Sequence, residues 1–248
     1  TYYFIDLKSK KLQSISKNNT KLRNVKFSPN GNFVAYVRED NNLYTYDLYK
    51  KRERRISSSG SSSISNGHFE WVYEEEFGSF DAYRWSPDSE RIAFWEEDQS
   101  QVPIFKLFSE SSLYPTIKNI HYPKAGQTNP TMTIFTSKAK GGGLKKIFSG
   151  QKRDIYLPWM EWSSENELVI MEMDRLQKNW SFHHLNIKNN KLARGISESD
   201  PDGWVDLHRN YFFLKNGTII WISEQDGWHH IYHYKKSGEV IKQITKGK

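Results

Sequence analysis

Trp85-Ser86-Pro87-Asp88, followed by Arg91-Ile92-Ala93-Phe94, is the stretch from which the fold can be read. An aromatic residue ends one strand, Ser-Pro-Asp makes a tight turn, and a nearly unbroken apolar strand follows. A strand without polar alternation is one buried on both faces. The pattern recurs. Phe27-Ser28-Pro29-Asn30 precedes Phe33-Val34-Ala35-Tyr36, and Trp162-Ser163-Ser164-Glu165 precedes Leu168-Val169-Ile170. Phe213-Leu214-Lys215-Asn216 precedes Thr218-Ile219-Ile220-Trp221. From aromatic to aromatic the copies lie 58, 77 and 51 residues apart.

A half-polar strand follows each pair, as in Leu43-Tyr44-Thr45-Tyr46-Asp47-Leu48, and a shorter one such as Arg54-Arg55-Ile56 closes the unit. Four antiparallel strands recurring about every fifty residues are the mark of a β-propeller blade. The expected class is therefore all-β. Residues 1–16 end one blade, 21–57 form a second, 78–122 a third, 131–198 an expanded fourth and 203–246 a fifth. Ser57-Ser58-Ser59-Gly60-Ser61-Ser62-Ser63 reads as a flexible link between blades, and Gly141-Gly142-Gly143 as a turn inside the fourth unit. Neither carries the Lys-Ser/Thr of a phosphate loop.

The composition narrows the function classes. The 248 residues carry a net charge of +7, but Lys and Arg are mostly dispersed among acids, so the charge reads as solubility. The one dense basic run, Lys50-Lys51-Arg52-Glu53-Arg54-Arg55, sits between two strand patterns and reads as a solvated hairpin end. No nucleic-acid partner is expected. No apolar run approaches the roughly eighteen residues of a membrane span. No signal peptide is visible at Thr1, and the strand-like start Tyr2-Tyr3-Phe4-Ile5-Asp6-Leu7 reads as that of a cut fragment. The absence of cysteine excludes disulfides, thiolate metal sites and cysteine nucleophiles.

Histidines do not suggest a metal. Adjacent residues on a strand point to opposite faces, so His183-His184 and His229-His230 cannot each chelate one ion. His229 and His233 share a face but lie about 13 Å apart at roughly 3.3 Å per residue. Neither a metal nor a cofactor is expected. No G-x-S-x-G nucleophile elbow occurs, nor a strand–helix alternation to hold one, so no catalytic residue is expected in this chain.

The candidate site is Glu70-Trp71-Val72-Tyr73-Glu74-Glu75-Glu76-Phe77. It reads as a segment between the second and third blades, free to reach over a central channel. Adjacent carboxylates repel, and their burial is costly unless a cation or hydrogen-bond donors meet them. The run is poised to receive a cation: Ca²⁺, a neighbouring Arg or Lys, or the ammonium of a peptide N-terminus.

Asn66-Gly67 and then Trp71-Val72-Tyr73-Glu74-Glu75-Glu76-Phe77 resemble the double-glutamate motif of the dipeptidyl peptidase IV family, in the prolyl oligopeptidase clan of serine peptidases. The flanks agree in order and distance: Trp85-Ser86-Pro87-Asp88, Gln101-Val102-Pro103, Tyr114-Pro115, Tyr122-Pro123-Lys124-Ala125-Gly126 and Asn129-Pro130. The resemblance implies an eight-bladed propeller capping a C-terminal α/β-hydrolase domain with a Ser/Asp/His triad. This chain would be about four to five of those blades, inactive alone, with the triad and an upstream substrate-binding arginine outside it.

By position, Glu75 and Glu76 match the pair that binds the substrate's N-terminal ammonium, while Glu74 has no such match. Trp71 and Tyr73 read as packing residues that fix the segment's direction. Gly203-Trp204-Val205-Asp206-Leu207-His208-Arg209 resembles a loop beside the second substrate subsite. There Arg209 matches the family's arginine, and His208 stands where the family has an aromatic ring. The implied activity is release of Xaa-Pro or Xaa-Ala dipeptides from free N-termini, in a periplasmic, cell-envelope or secreted bacterial enzyme whose full-length form could be a homodimer. The alternatives are a prolyl tripeptidyl peptidase of the same clan and a non-catalytic binding propeller.

Overall fold

The computed structural model describes residues 2–15 and 21–248, so residues 1 and 16–20 lie outside the described residues. Among the described residues there are 21 strands, paired antiparallel, and one short helix. The chain is an all-β protein of propeller type. It divides into two compact units, 1–151 and 152–248.

In the first unit β1 (Tyr3–Ile5) and β2 (Leu12–Ser14) form a ribbon. Next, β3 (Arg23–Phe27), β4 (Phe33–Val37), β5 (Leu43–Asp47) and β6 (Arg52–Arg55) form a four-stranded sheet in chain order. Every residue of β4 is buried. Successive side chains leave opposite faces, so Val34 and Tyr36 pack with Ile15 and Leu22 while Ala35 and Val37 pack with Tyr83, Ile92 and Phe94. That double burial is why the strand lacks alternation.

The aromatic-Ser-Pro-Asx turns have a common mechanism. The Ser28 hydroxyl donates to Asn30 Oδ1 (2.8 Å) and accepts the Phe33 N–H (3.0 Å). Ser86 likewise donates to Asp88 Oδ1 (2.5 Å) and accepts the Arg91 N–H (2.9 Å). Each hydroxyl thus closes the turn between a strand ending in an aromatic residue and the buried strand after it.

The next sheet corrects the expected blade boundaries. It contains β7 (Ile64–Asn66), β8 (Tyr83–Trp85) and β9 (Arg91–Asp98); β10 (Ile104–Ser109) and β11 (Thr116–His121) form a separate exposed hairpin. The sheet is completed by β12 (Thr131–Lys138) and β13 (Lys145–Ser149), in the order β13-β12-β9-β7, with β8 also on β9. Residues 131–149 therefore do not open an expanded unit 131–198. β12 pairs with β9 along its whole length, from Thr131 opposite Asp98 to Lys138 opposite Arg91. Gly141-Gly142-Gly143 turns between β12 and β13 of this same sheet. Nor does the sheet begin at 78, because Ile64–Asn66 already pairs with β9.

The serine-rich link is also tied down rather than flexible. Ser57 is buried and its hydroxyl accepts the Leu43 N–H (3.0 Å), while Asn42 Oδ1 accepts both the Ser57 hydroxyl and the Gly60 N–H. A Cβ at Gly60 would stand 2.3 Å from the Asp40 carbonyl oxygen, so the close approach requires glycine.

In the second unit β14 (Ile155–Ser164), β15 (Glu167–Asp174), β16 (Asn179–Asn186) and β17 (Leu192–Ser199) form one four-stranded sheet. Another contains β18 (Tyr211–Phe213), β19 (Ile219–Ser223), β20 (His230–Tyr234) and β21 (Val240–Gln243). Aromatic rings join the two. Trp221 lies 5.2 Å from Trp180 and 5.1 Å from Phe182, and Trp159 lies 4.8 Å from Tyr211, centroid to centroid.

Candidate functional site

The acidic run forms α1 (Trp71–Phe77). It is not a link between sheets. It belongs to an excursion within one sheet, between β7 and β8, which both pair with β9. The excursion leaves and returns at a single residue of β9: the Gly67 N–H donates to the Trp95 carbonyl (3.0 Å), and the Trp95 N–H donates to the Ala82 carbonyl (2.9 Å). Between these ends, the Phe69 N–H donates to the Phe80 carbonyl (3.1 Å).

Side chains of β3 brace the base. Asn24 Nδ2 donates to the carbonyls of Gly67 (3.1 Å) and Phe80 (3.0 Å) and lies 3.2 Å from His68 Nδ1. Burial, reinforced by the Arg23 guanidinium, lowers the His68 pKa to about 4, so the ring is neutral. Asp81 pairs with Lys26 and with Arg84 (3.0 Å), and its carboxyl is held below the usual range against the opposing effect of burial.

The helix is seated by aromatics. Tyr73 is buried and stacks on Phe69 at 4.8 Å, and Phe69 meets Trp95 of β9 at 5.1 Å. Trp71 packs on Tyr122 at 4.2 Å, which in turn meets Phe105 of β10 at 5.6 Å. Gly78, at φ 55° and ψ 33°, ends the helix; its N–H donates to the Glu74 carbonyl (3.0 Å) and the Ser79 N–H to the Tyr73 carbonyl (3.0 Å). Glu75 and Glu76 are exposed, whereas Glu74 is half-buried. Burial, and then repulsion from Glu75, raises the Glu74 pKa, with Arg23 opposing. Consecutive helical positions are about 100° and 1.5 Å apart, so the two exposed carboxylates can converge on one small cation from two sides.

Beneath the helix lies a carboxyl that the sequence reading missed. Glu97 of β9 is fully buried, its Oε2 accepts the backbone N–H of Glu70 (2.9 Å), and its Oε1 has no hydrogen-bond partner among the described residues. Glu70 is the N-cap of α1 and makes no side-chain cap of its own. Burial pushes the Glu97 pKa up to about 8; the Glu70 N–H opposes this, and the Glu70 and Glu74 carboxylates add to it. The signal was period two: Glu97 shares its strand face with Ala93 and Trp95, both buried.

The other two candidates belong to the second unit. His208 is half-buried, with its ring centroid 4.3 Å from that of Trp221. Its Nε2 donates to the Ile222 carbonyl (2.6 Å) and its Nδ1 accepts the Asn210 N–H (3.4 Å). Burial lowers its pKa, so the imidazole is neutral with both nitrogens engaged. Arg209 follows it in a segment without regular structure between β17 and β18. No group of three or more potential metal ligands is found among the described residues, and no helix there is long and apolar enough to cross a membrane.

Comparison with known proteins adds the family context. Residues 1–248 match the family model described as dipeptidyl peptidase IV (DPP IV) N-terminal region. The chain is 31% identical over 274 residues to dipeptidyl peptidase 4 of Felis catus, covering 100% of this chain and 35% of that protein. It is 30% identical over 243 residues to dipeptidyl aminopeptidase B of Saccharomyces cerevisiae, covering 90% and 29%. The crystal structure of Porphyromonas gingivalis dipeptidyl peptidase 4 superposes with a TM-score of 0.90 at 29% identity, over 99% of this chain and 35% of that one. The chain thus spans about a third of the length of the relatives it matches.

Proposed function

The chain belongs to the dipeptidyl peptidase IV N-terminal-region family, and from that premise we propose that it anchors the free N-terminus of a peptide substrate for a serine exopeptidase releasing Xaa-Pro or Xaa-Ala dipeptides. The triad belongs to a C-terminal α/β-hydrolase domain of the full-length protein. Glu75 and Glu76 are the ammonium ligands. The observation that carries this is their exposure, side by side, on a helix whose underside is locked by Tyr73, Phe69 and Trp95.

Two fixed carboxylates satisfy an ammonium by charge-assisted hydrogen bonds and set how far the peptide enters. The scissile bond is then measured from the chain end. An acetylated N-terminus leaves the carboxylates without their cation, which penalises the wrong substrate more than it rewards the right one. Arg209 is the remaining subsite candidate. His208, with both nitrogens engaged, contributes a packing surface rather than a polar contact.

The test is hydrolysis of Gly-Pro-p-nitroanilide and its N-acetylated form by the full-length protein and by its Glu75→Gln/Glu76→Gln variant. Cleavage of the free form alone is expected, with kcat/KM falling about 100-fold or more in the variant, since each lost charge-assisted bond counts for about 1.5–3 kcal/mol. Equal cleavage of both forms, or full activity in the variant, sinks the anchoring role. Release of Ala-Ala-Pro in place of Ala-Pro would transfer the same anchor to a tripeptidyl enzyme.

A further inference from the structure

We propose that Glu97 is a positioning residue for the glutamate pair: its carboxyl, clamped on the backbone N–H of Glu70, fixes where α1 begins and hence where Glu75 and Glu76 point. This rests on the anchoring role proposed above. Glu97 is the one carboxyl of β9 that reaches the helix segment from beneath, and its 2.9 Å contact takes up an N-terminal amide that no side-chain cap serves. A helix of seven residues has little stability of its own. Its first turn therefore depends on what holds it.

Burial, not the hydrogen bond, favours the protonated form of this carboxyl. On the ladder Glu97 stands opposite Met132 of β12 and Ser65 of β7, neither of which carries charge. The charged groups facing it are the Glu70 and Glu74 carboxylates. The nearby cations act on those two: Arg23 of β3 on both and Lys118 of β11 on Glu70, which the His121 ring of β11 also faces. Either form of Glu97 accepts the Glu70 N–H, but the neutral form does so without a buried charge. An ionised Glu97 sets a third, fully buried negative charge beneath two others with no cation to meet it. Loss of the proton at alkaline pH loosens the segment and displaces the pair.

The experiment measures KM and kcat of the full-length protein for Gly-Pro-p-nitroanilide across the neutral to alkaline range, for wild type, Glu97→Leu and Glu97→Gln. Glu97→Leu removes the acceptor and is expected to raise KM about tenfold or more with a smaller change in kcat, as outer-shell partners of binding groups do. Glu97→Gln copies the neutral acid and restores KM. The substrate amine itself titrates at about 7.7–8.0, so the wild-type alkaline rise in KM contains two groups and the Glu97→Gln rise contains one.

An infrared spectrum supplies a readout independent of turnover: a protonated-carboxyl stretch at neutral pH in wild type that is missing from Glu97→Gln. Unchanged KM in Glu97→Leu, identical alkaline limbs in wild type and Glu97→Gln, or no such band overturns the proposal. If Glu97→Leu does not fold, the Glu97→Gln profile and the infrared band decide alone. Loss of activity in Glu75→Gln/Glu76→Gln with Glu97→Leu unaffected refutes the positioning role only. Full activity in that double variant overturns both readings.

Discussion

Glu97 in the first unit and Glu167 in the second are the same residue type on the same kind of strand, and their surroundings drive them in opposite directions. Glu97 is sealed beneath α1, accepts one backbone N–H, and is pushed up to about 8 by burial. Glu167 also loses water, yet bonds from His184 (3.1 Å), from Lys236 and from the Ser163 hydroxyl (2.7 Å) overcome burial and hold it at about 2. Burial alone does not decide the charge of a carboxyl. The donors that accompany it do. Glu167 is satisfied and structural, closing the Trp162-Ser163 turn onto a neighbouring strand. Glu97 is left short of partners directly beneath the candidate site, and perturbed groups concentrate where function needs them.

The largest expected effect concerns stability against pH. The folded pKa of Glu97 lies above its unfolded value of 4.5, so between those limits the folded protein holds a proton that the unfolded chain has released. The contribution of Glu97 is therefore fully present below pH 4.5 and is lost as pH rises through about 8. Relative to Glu97→Gln, wild type should lose on the order of 5 kcal/mol across that span. Melting temperatures of the two proteins at several pH values check this, and parallel curves would erase the contrast with Glu167.

Next in size, Glu167→Ala should destabilise by about 2–3 kcal/mol, because buried His184 loses its Nδ1 partner along with the Ser163 and Lys236 contacts. A denaturant midpoint unchanged by that substitution would show that the cluster is ornamental. Its acid limb runs the other way from that of Glu97: the stabilisation is present above 4.5 and is lost as pH falls toward about 2. The smallest effect is that of Lys236→Met. Lys236 is about half exposed, and its pair with Glu167 should contribute less than about 1 kcal/mol, read from the same midpoint and weakened by salt.

The contrast between the two glutamates also marks what the sequence could express. The aromatic-Ser-Pro-Asx turns and the apolar strands after them were legible because their hydrogen bonds, Ser28 with Phe33 and Ser86 with Arg91, close within five residues. The acidic run stood out as a candidate site because its residue order is distinctive, while its helical form was not read from the sequence. The sheet membership of Thr131–Lys138 was not, since its partner β9 lies across the β10–β11 hairpin and an apolar strand fits one neighbour as well as another. Ile64–Asn66, only three residues long, carried too little pattern to be seen as a strand. Glu97 was hidden for a different reason. Glu96-Glu97-Asp98 reads as the solvated end of a strand, and only the structure places a helix over the middle residue.

The return of the excursion to Trp95, where it began, has an evolutionary corollary. Because residues 67 and 82 are both hydrogen-bonded to Trp95, whatever lies between them can lengthen or shorten without shifting the register of β7, β8 or β12. Closing a somewhat longer loop adds only about 0.6 kcal/mol per doubling of its length. The segment is in effect an exchangeable cassette. Descendants of one propeller could change what this segment presents by editing the residues between Gly67 and Ala82 and leaving the scaffold untouched.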